Sequence, residues 1–356
     1  MRYVAGLAVL ALILSAGLPP SPEFEDPRLE SAIRSTLGIE SEQITRAQLR
    51  QLTELSAVGL DITSLKGIEA CSNLEVLDLT ENRIIDLEPL RSLSHLHTLS
   101  LRSNLVNDVR PLAGSHALEK LDLDFNFVTD ITALSALVHM TWLGLWNSGI
   151  RDISPLEDLV HLEQLGLSGC PIQDTSVLRS LVELRWLGLP NTGIHDIDFV
   201  SGMNHLIKLS LGGNTISDLT PLAHLTQLEG LGLDNNNIVD VTPLAALTSL
   251  QRLSLWGNHI RDVSPLARLT RLDQLWLDRN PLADVRIVQE MTQLSILGLS
   301  GTKLVSLDAL VTNPGLGEGD QVDLRGIEAL LAPSEQVQHD LQQLLDRGIQ
   351  VLLDGS

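Results

Sequence analysis

"LEVLDLTENRIIDLEPLRSLSH", residues 74–95, contains one full period of the chain. Leucine stands at its positions 1, 4 and 6, asparagine at 9, and apolar residues at 11, 14, 17 and 20. "LIKLSLGGNTISDLTPLAHLTQ" (206–227) and "LQRLSLWGNHIRDVSPLARLTR" (250–271) match it position by position. From Leu52 to Gly315 the sequence is twelve such blocks of 22 residues, with no insertion or deletion. A fixed period of this length marks an array in which each unit buries its apolar side only against its neighbours. Positions 3 to 7 alternate polar or small residues with apolar ones, the period of a strand with one buried face. One strand per block, always in the same direction, predicts a parallel sheet. Too few residues remain for a full helix on the return path, so the outer side should be mostly 3₁₀ turns. The expected fold is an α/β solenoid, a curved arc with a concave sheet and a convex face of short turns.

Two polar columns fit that arc. Asn82, Asn104, Asn126, Asn214, Asn236, Asn258 and Asn280 occupy position 9, replaced by Ser148, Cys170, Thr192 and Thr302 in four blocks. A buried amide at the turn away from the strand can satisfy backbone groups of its own block and the next. Aspartate occupies position 13 in ten successive blocks, Asp86 through Asp284, just ahead of segments such as "LEPL" and "VSPL". These read as acceptors for the free N–H groups of a short helical turn. A calcium row is the rival, but single, evenly spaced carboxylates do not converge as calcium ligands must.

The ends read as lids over the solenoid. At 22–51, Asp26 and Pro27 start a helix with Leu29, Ala32, Ile33 and Leu37 inward and Gly38 as its stop, and Thr45 with Gln48 forms a capping box. At 316–356, Ser334 opens a helix with Val337, Leu341, Leu344 and Leu345 inward, and "IQVLLD" is a last strand. Cys71 and Cys170 lie five strands apart, roughly 24 Å, too far for a disulfide. The start, Met1, Arg2 and "VAGLAVLALILSAGL", has the form of a secretory signal peptide over 1–17, cleaved near Ala16 or Gly17. The mature chain is then expected to be soluble outside the cytoplasm, extracellular or periplasmic, with no membrane insertion after cleavage. A formal charge of −21 repels phosphate backbones, which argues against nucleic acid as a partner.

The repeat, the leading cap "DPRLESAIRSTLG" and the closing "NPGLGEGDQVDLRG" together resemble the leucine-rich repeat proteins, specifically the 22-residue bacterial class that internalins typify. The resemblance spans the mature chain and implies a secreted module that binds a protein. No immunoglobulin-like stretch after the repeats, sorting tail or basic anchoring module is visible, so an invasion role is not expected to carry over.

Aromatic residues make up only 3% of the chain, yet all five tryptophans fall on outward strand positions. Trp142 and Trp186 are at position 3, Trp276 at 5, and Trp146 and Trp256 at 7. Gly144, Gly166 and Gly188 at position 5 are expected to leave a bare floor between the rings, with Phe125 bordering the same hollow. A second aromatic area holds Trp256, Trp276 and Arg252. Asp122 and Asp124 beside the first group, and Asp234 and Asp278 beside the second, would select a basic or hydroxyl-rich partner. A protein or peptide on the concave face is the first expectation, a glycan stacked on indoles the second, and a scaffold without specific ligand the third.

No catalytic constellation, metal site or cofactor is expected. His95, His139, His161 and His205 share position 22, but Asn73, Glu183, Gln227 and Arg271 fill the same column, as on a solvated turn. Asp122, Asp124 and Asp78 have separations like those of glycosidase carboxylates, but an open sheet is expected to bury them too little for acid–base work.

Overall fold

The computed structural model describes residues 23–40 and 43–354, so the expected signal peptide, 1–17, lies outside the described residues. Twelve three-residue strands recur at a step of 22: β1 (Glu54–Ser56), β2 (Val76–Asp78), β3 (Thr98–Ser100), β4 (Lys120–Asp122), β5 (Trp142–Gly144), β6 (Gln164–Gly166), β7 (Trp186–Gly188), β8 (Lys208–Ser210), β9 (Gly230–Gly232), β10 (Arg252–Ser254), β11 (Gln274–Trp276) and β12 (Ile296–Gly298). With β13 (Gln321–Asp323) and β14 (Gln350–Leu352) they form one open parallel sheet in sequential order. Each of the first eleven blocks returns through a 3₁₀ turn, such as Glu88–Leu90 or Ser154–Leu156, and the twelfth through a short α-helix, Asp308–Thr312.

Leucine and its substitutes at positions 4 and 6 point into a continuous aliphatic core together with the residues at 11, 14, 17 and 20. Burying each such side chain contributes about 1.5–3 kcal/mol. At position 8 every block turns through the left-handed region, by glycine in five blocks and by Phe125 and Arg279 among the others.

All ten position-13 aspartates accept a hydrogen bond from the backbone N–H two residues on, at 2.7–2.9 Å. The seven position-9 asparagines are buried. Asn258 is typical: its Nδ2 donates to Leu255 O of its own block and to Leu233 O of the preceding one, both at 2.9 Å, and its Oδ1 accepts from Ile238 N at 3.0 Å. The tie therefore runs backward, not to the next block as expected, because the side chain meets the layer already laid down on its N-terminal side. The substituted blocks are tied less well. Cys170 Sγ donates to Leu145 O, Thr192 Oγ1 to Leu189 O, and Ser148 Oγ is buried without a hydrogen bond.

Both cysteines are buried free thiols, and burial pushes them up to about 12 for Cys71 and about 11 for Cys170. At the N-terminal end α1 (Pro27–Leu37) starts at Asp26, which accepts from Arg28 N, and stops at Gly38, which is left-handed. Thr45 and Gln48 form the capping box of α2 (Arg46–Leu49). At the other end α3 (Asp308–Thr312) precedes α4 (Glu335–Asp346), capped by Ser334. Two details of the C-terminal cap depart from expectation. Leu345 is 44% exposed, since α4 turns Val337, Asp340 and Leu344 inward instead. The cap also supplies an additional strand, β13, where Val322 and Leu324 keep the alternation but three extra residues break the count.

Candidate binding surface

Outward residues at positions 3, 5 and 7 of neighbouring strands lie side by side, because the register step equals the period. All five tryptophans are half-buried there and lie outside the aliphatic core. They do not leave the expected glycine floor bare. Trp142 Cη2 lies 2.6 Å from where a Cβ on Gly144 would stand, Trp186 Cη2 2.9 Å from that of Gly188, and the Trp146 indole nitrogen occupies the place over Gly166. All three glycines are buried. With no side chain at position 5, a flat ring from the same strand or the preceding one drops into the gap, so these glycines seat indoles instead of receiving a ligand. Trp146 and Trp186 then meet at 6.0 Å between centroids, tilted by 32°.

The acids are also partly committed within the chain. Asp124 is only 4% exposed, accepts from Trp146 N at 2.7 Å and pairs with Arg102 at 2.8 Å. Asp278 accepts from both the backbone N and the hydroxyl of Ser300, and Asp234 accepts from Ser254 Oγ. The cation–π partners expected from outside come from inside. Arg102 lies 4.7 Å from the Phe125 ring, and Arg279 lies 5.7 Å from that of Trp256. Phe125 itself has φ of +56°, a left-handed conformation uncommon for an aromatic residue.

Asp122 behaves differently from the expectation of an exposed carboxylate. It lines a hollow of about 420 Å³ with Trp142 and Lys120, and burial, helped by the charges of Asp124 and Asp78, pushes its carboxyl up to about 6. Asp124 is raised as well, by burial, against the pull of Trp146 N–H and Arg102. An Asp122 that titrates near 3.9 when unfolded holds its proton more tightly in the folded chain. Its contribution is therefore most favourable below about pH 4 and declines as pH rises to about 6. Asp122→Asn keeps an acceptor for the Asp124 N–H at 2.9 Å. We expect it to raise the thermal midpoint by about 2 °C at pH 7 and leave it unchanged at pH 4; equal midpoints at both pH values would contradict the shift.

The accessible floor lies elsewhere, on β9. Its "GLG" puts glycine at both outward positions, and Gly230 and Gly232 remain half-exposed, with no atom nearer than 3.4 Å to a Cβ built on either. They form the bottom of a second hollow of about 420 Å³. Trp186 on β7 and Trp276 on β11 wall it, with Lys208 and Arg252 between them. Arg252 was expected beside Trp256 and Trp276; it borders this hollow with Trp276 and Trp186. Gly230 and Lys208, at position 3, and Gly232, at position 5 but separated by Ser210 from the three successive glycines of β5 to β7, were not among the expected site residues. Strand β9 is the only one of the fourteen described strands with glycine at both outward positions, which was a readable signal. A third hollow, about 340 Å³, lies between Trp256, Trp276 and Arg325.

Among the described residues no three His, Cys, Asp or Glu side chains converge on a point where a metal ion could sit. No helix there is long and apolar enough to cross a membrane.

Family models described as Leucine Rich repeats (2 copies) match residues 94–136, 204–246, 226–268 and 248–290, and one described as Leucine Rich repeat matches 70–88. No curated protein matches the chain. Among solved structures, an internalin (InlF) from Listeria monocytogenes is similar at 29% identity and a TM-score of 0.74, covering 84% of this chain and 97% of its own. A leucine-rich repeat protein of Leptospira interrogans is similar in fold at 21% identity and a TM-score of 0.75, covering 88% and 86%. The functional domain of InlJ from Listeria monocytogenes, which includes a cysteine ladder, has 23% identity and a TM-score of 0.62, covering 85% and 65%.

Proposed function

Because this chain belongs to the leucine-rich repeat proteins and is internalin-like, we propose that it is a secreted, non-enzymatic binding protein that captures a protein or peptide partner on the concave face of its arc. The observation that carries this reading is the hollow over β8 to β10. Backbone is accessible at Gly230 and Gly232, while Trp186 and Trp276 stand half-buried about 19 Å apart on either side. Large aromatic side chains around a recess that a partner can fill are the usual makings of a binding hot spot. Secretion is supported by the charged start and apolar run at residues 1–17. A non-enzymatic role is supported by Asp124, the carboxylate two residues from Asp122, being committed to an ion pair with Arg102 and to a bond from Trp146 N.

The test is capture by the immobilised full chain, compared with a variant carrying Trp186→Ala and Trp276→Ala. Partner binding should weaken at least about tenfold, with circular dichroism unchanged, since neither ring belongs to the core. Undiminished capture by the double variant would refute the concave-face reading. Quenching of tryptophan fluorescence by neutral polysaccharides, with no protein captured, would instead favour a glycan.

A further inference from the structure

Lys208, Gly230 and Arg252 stand opposite one another on β8, β9 and β10. The two cations are therefore two strand spacings apart, about 10 Å between Cα atoms, with no side chain between them. Both are exposed, and among the described residues neither side chain has an ion pair or a hydrogen bond. Other arginines on this face are already engaged: Arg102 with Asp124, Arg325 with Asp323, and Arg279 over Trp256. In a chain of net charge −21, a pair of uncommitted cations aimed into one recess runs against the overall charge.

We propose that this recess receives an acidic side chain of a protein partner, its carboxylate bridging Lys208 and Arg252 over Gly230. This deepens the concave-face reading and rests on it. Lysine and arginine side chains each reach far enough to donate to one oxygen of the same carboxylate across a 10 Å gap, and charge-assisted bonds of this kind are the strong ones. Ser210 and Ser254 flank Gly232 in the next outward row; Ser210 offers a hydroxyl to the partner's backbone, and Ser254, which donates to Asp234, can accept from it. The indole walls exclude water on two sides, which strengthens the charge contact. Glu229 is the one acid lining the hollow, and the two cations outnumber it. A peptide suits the recess better than an acidic sugar, because Trp186 already has a ring neighbour in Trp146, which leaves less indole face for pyranose stacking.

The probe is a terminally blocked, fluorescein-labelled peptide of alternating serine and glutamate, with lysine and glutamine counterparts, titrated by anisotropy against the full chain at physiological salt. The glutamate peptide should bind at least about tenfold tighter than the lysine peptide in spite of the net charge. The variant with Lys208→Gln and Arg252→Gln should lose that preference, while Trp142→Ala, in the other hollow, should keep it. Folding is not at issue, since both replaced side chains are exposed and unbonded. Lysine binding as tight as glutamate would overturn the proposal. So would no glutamate binding up to about 10 mM, or binding by oligogalacturonate alone. A protein partner lost with the two tryptophans but fully retained by the Lys208→Gln, Arg252→Gln variant would overturn the charge assignment and leave the concave-face reading intact.

Discussion

Replacing Asn258 by alanine is expected to lower the unfolding free energy by about 3 kcal/mol, more than a hundredfold in the folding equilibrium. The amide is 3% exposed and satisfies Leu233 O, Leu255 O and Ile238 N, backbone groups in two successive layers. Alanine leaves Ile238 N buried and unpaired, at about 1–3 kcal/mol, and removes one of two hydrogen bonds from each carbonyl, since Leu233 O also accepts from Asn236 Nδ2 and Leu255 O from Asn280 Nδ2, each such loss costing about 0.5 kcal/mol or more. The midpoint of urea unfolding, followed by circular dichroism, measures the loss. The natural control is Ser148, which occupies the same column with a hydroxyl that has no partner. Ser148→Ala is expected to change stability by less than about 0.5 kcal/mol. Similar losses for the two substitutions would show that the column is held by packing and not by its amides.

Two substitutions of the same kind should have opposite outcomes, and the contrast separates recognition from folding. Gly230→Val puts a side chain where the nearest atom, Lys208 Cγ, is 3.5 Å from the new Cβ. A β-branched residue suits a strand better than glycine does, so stability should hold or rise by up to about 1 kcal/mol. The same side chain fills the recess between Trp186 and Trp276, and partner capture should fall about a hundredfold. Gly166→Val instead drives a side chain into the Trp146 indole and should destabilise the fold by about 1–3 kcal/mol as the ring is displaced. Thermal unfolding and partner capture measured side by side on both variants decide the matter. Full binding by Gly230→Val would remove β9 from the recognition surface.

Sequence alone gave the periodic parts of this molecule because each has a local cause. The leucine columns, the aspartate row and the capping residues Asp26, Thr45 and Ser334 act within a few residues of themselves or one layer away, and their pattern shows in the letters. Side-chain direction on the open face was less legible. Nothing in "TWLGLW" says that Trp142 lies over Gly144, or that Trp146 reaches across to the next strand to cover Gly166. Those positions follow from the rotamers available once three glycines stand in a row. The backward reach of the asparagines and the inward turn of Asp340 in place of Leu345 likewise depend on neighbouring layers. Strand β13 was hidden by a three-residue shift, although Val322 and Leu324 carried its pattern. The accessible floor at Gly230 and Gly232 was legible from "GLG" and needed both outward columns read together.

The sequential order of the sheet, in which every strand pairs only with the strands before and after it in the chain, makes length an adjustable property of this protein. Excising one complete period would join two surfaces that already match, shorten the arc by about 4.8 Å, and leave no core exposed. Reach could thus be tuned in whole steps, like a ruler cut at its graduations, while the chemistry carried by each remaining step stays the same.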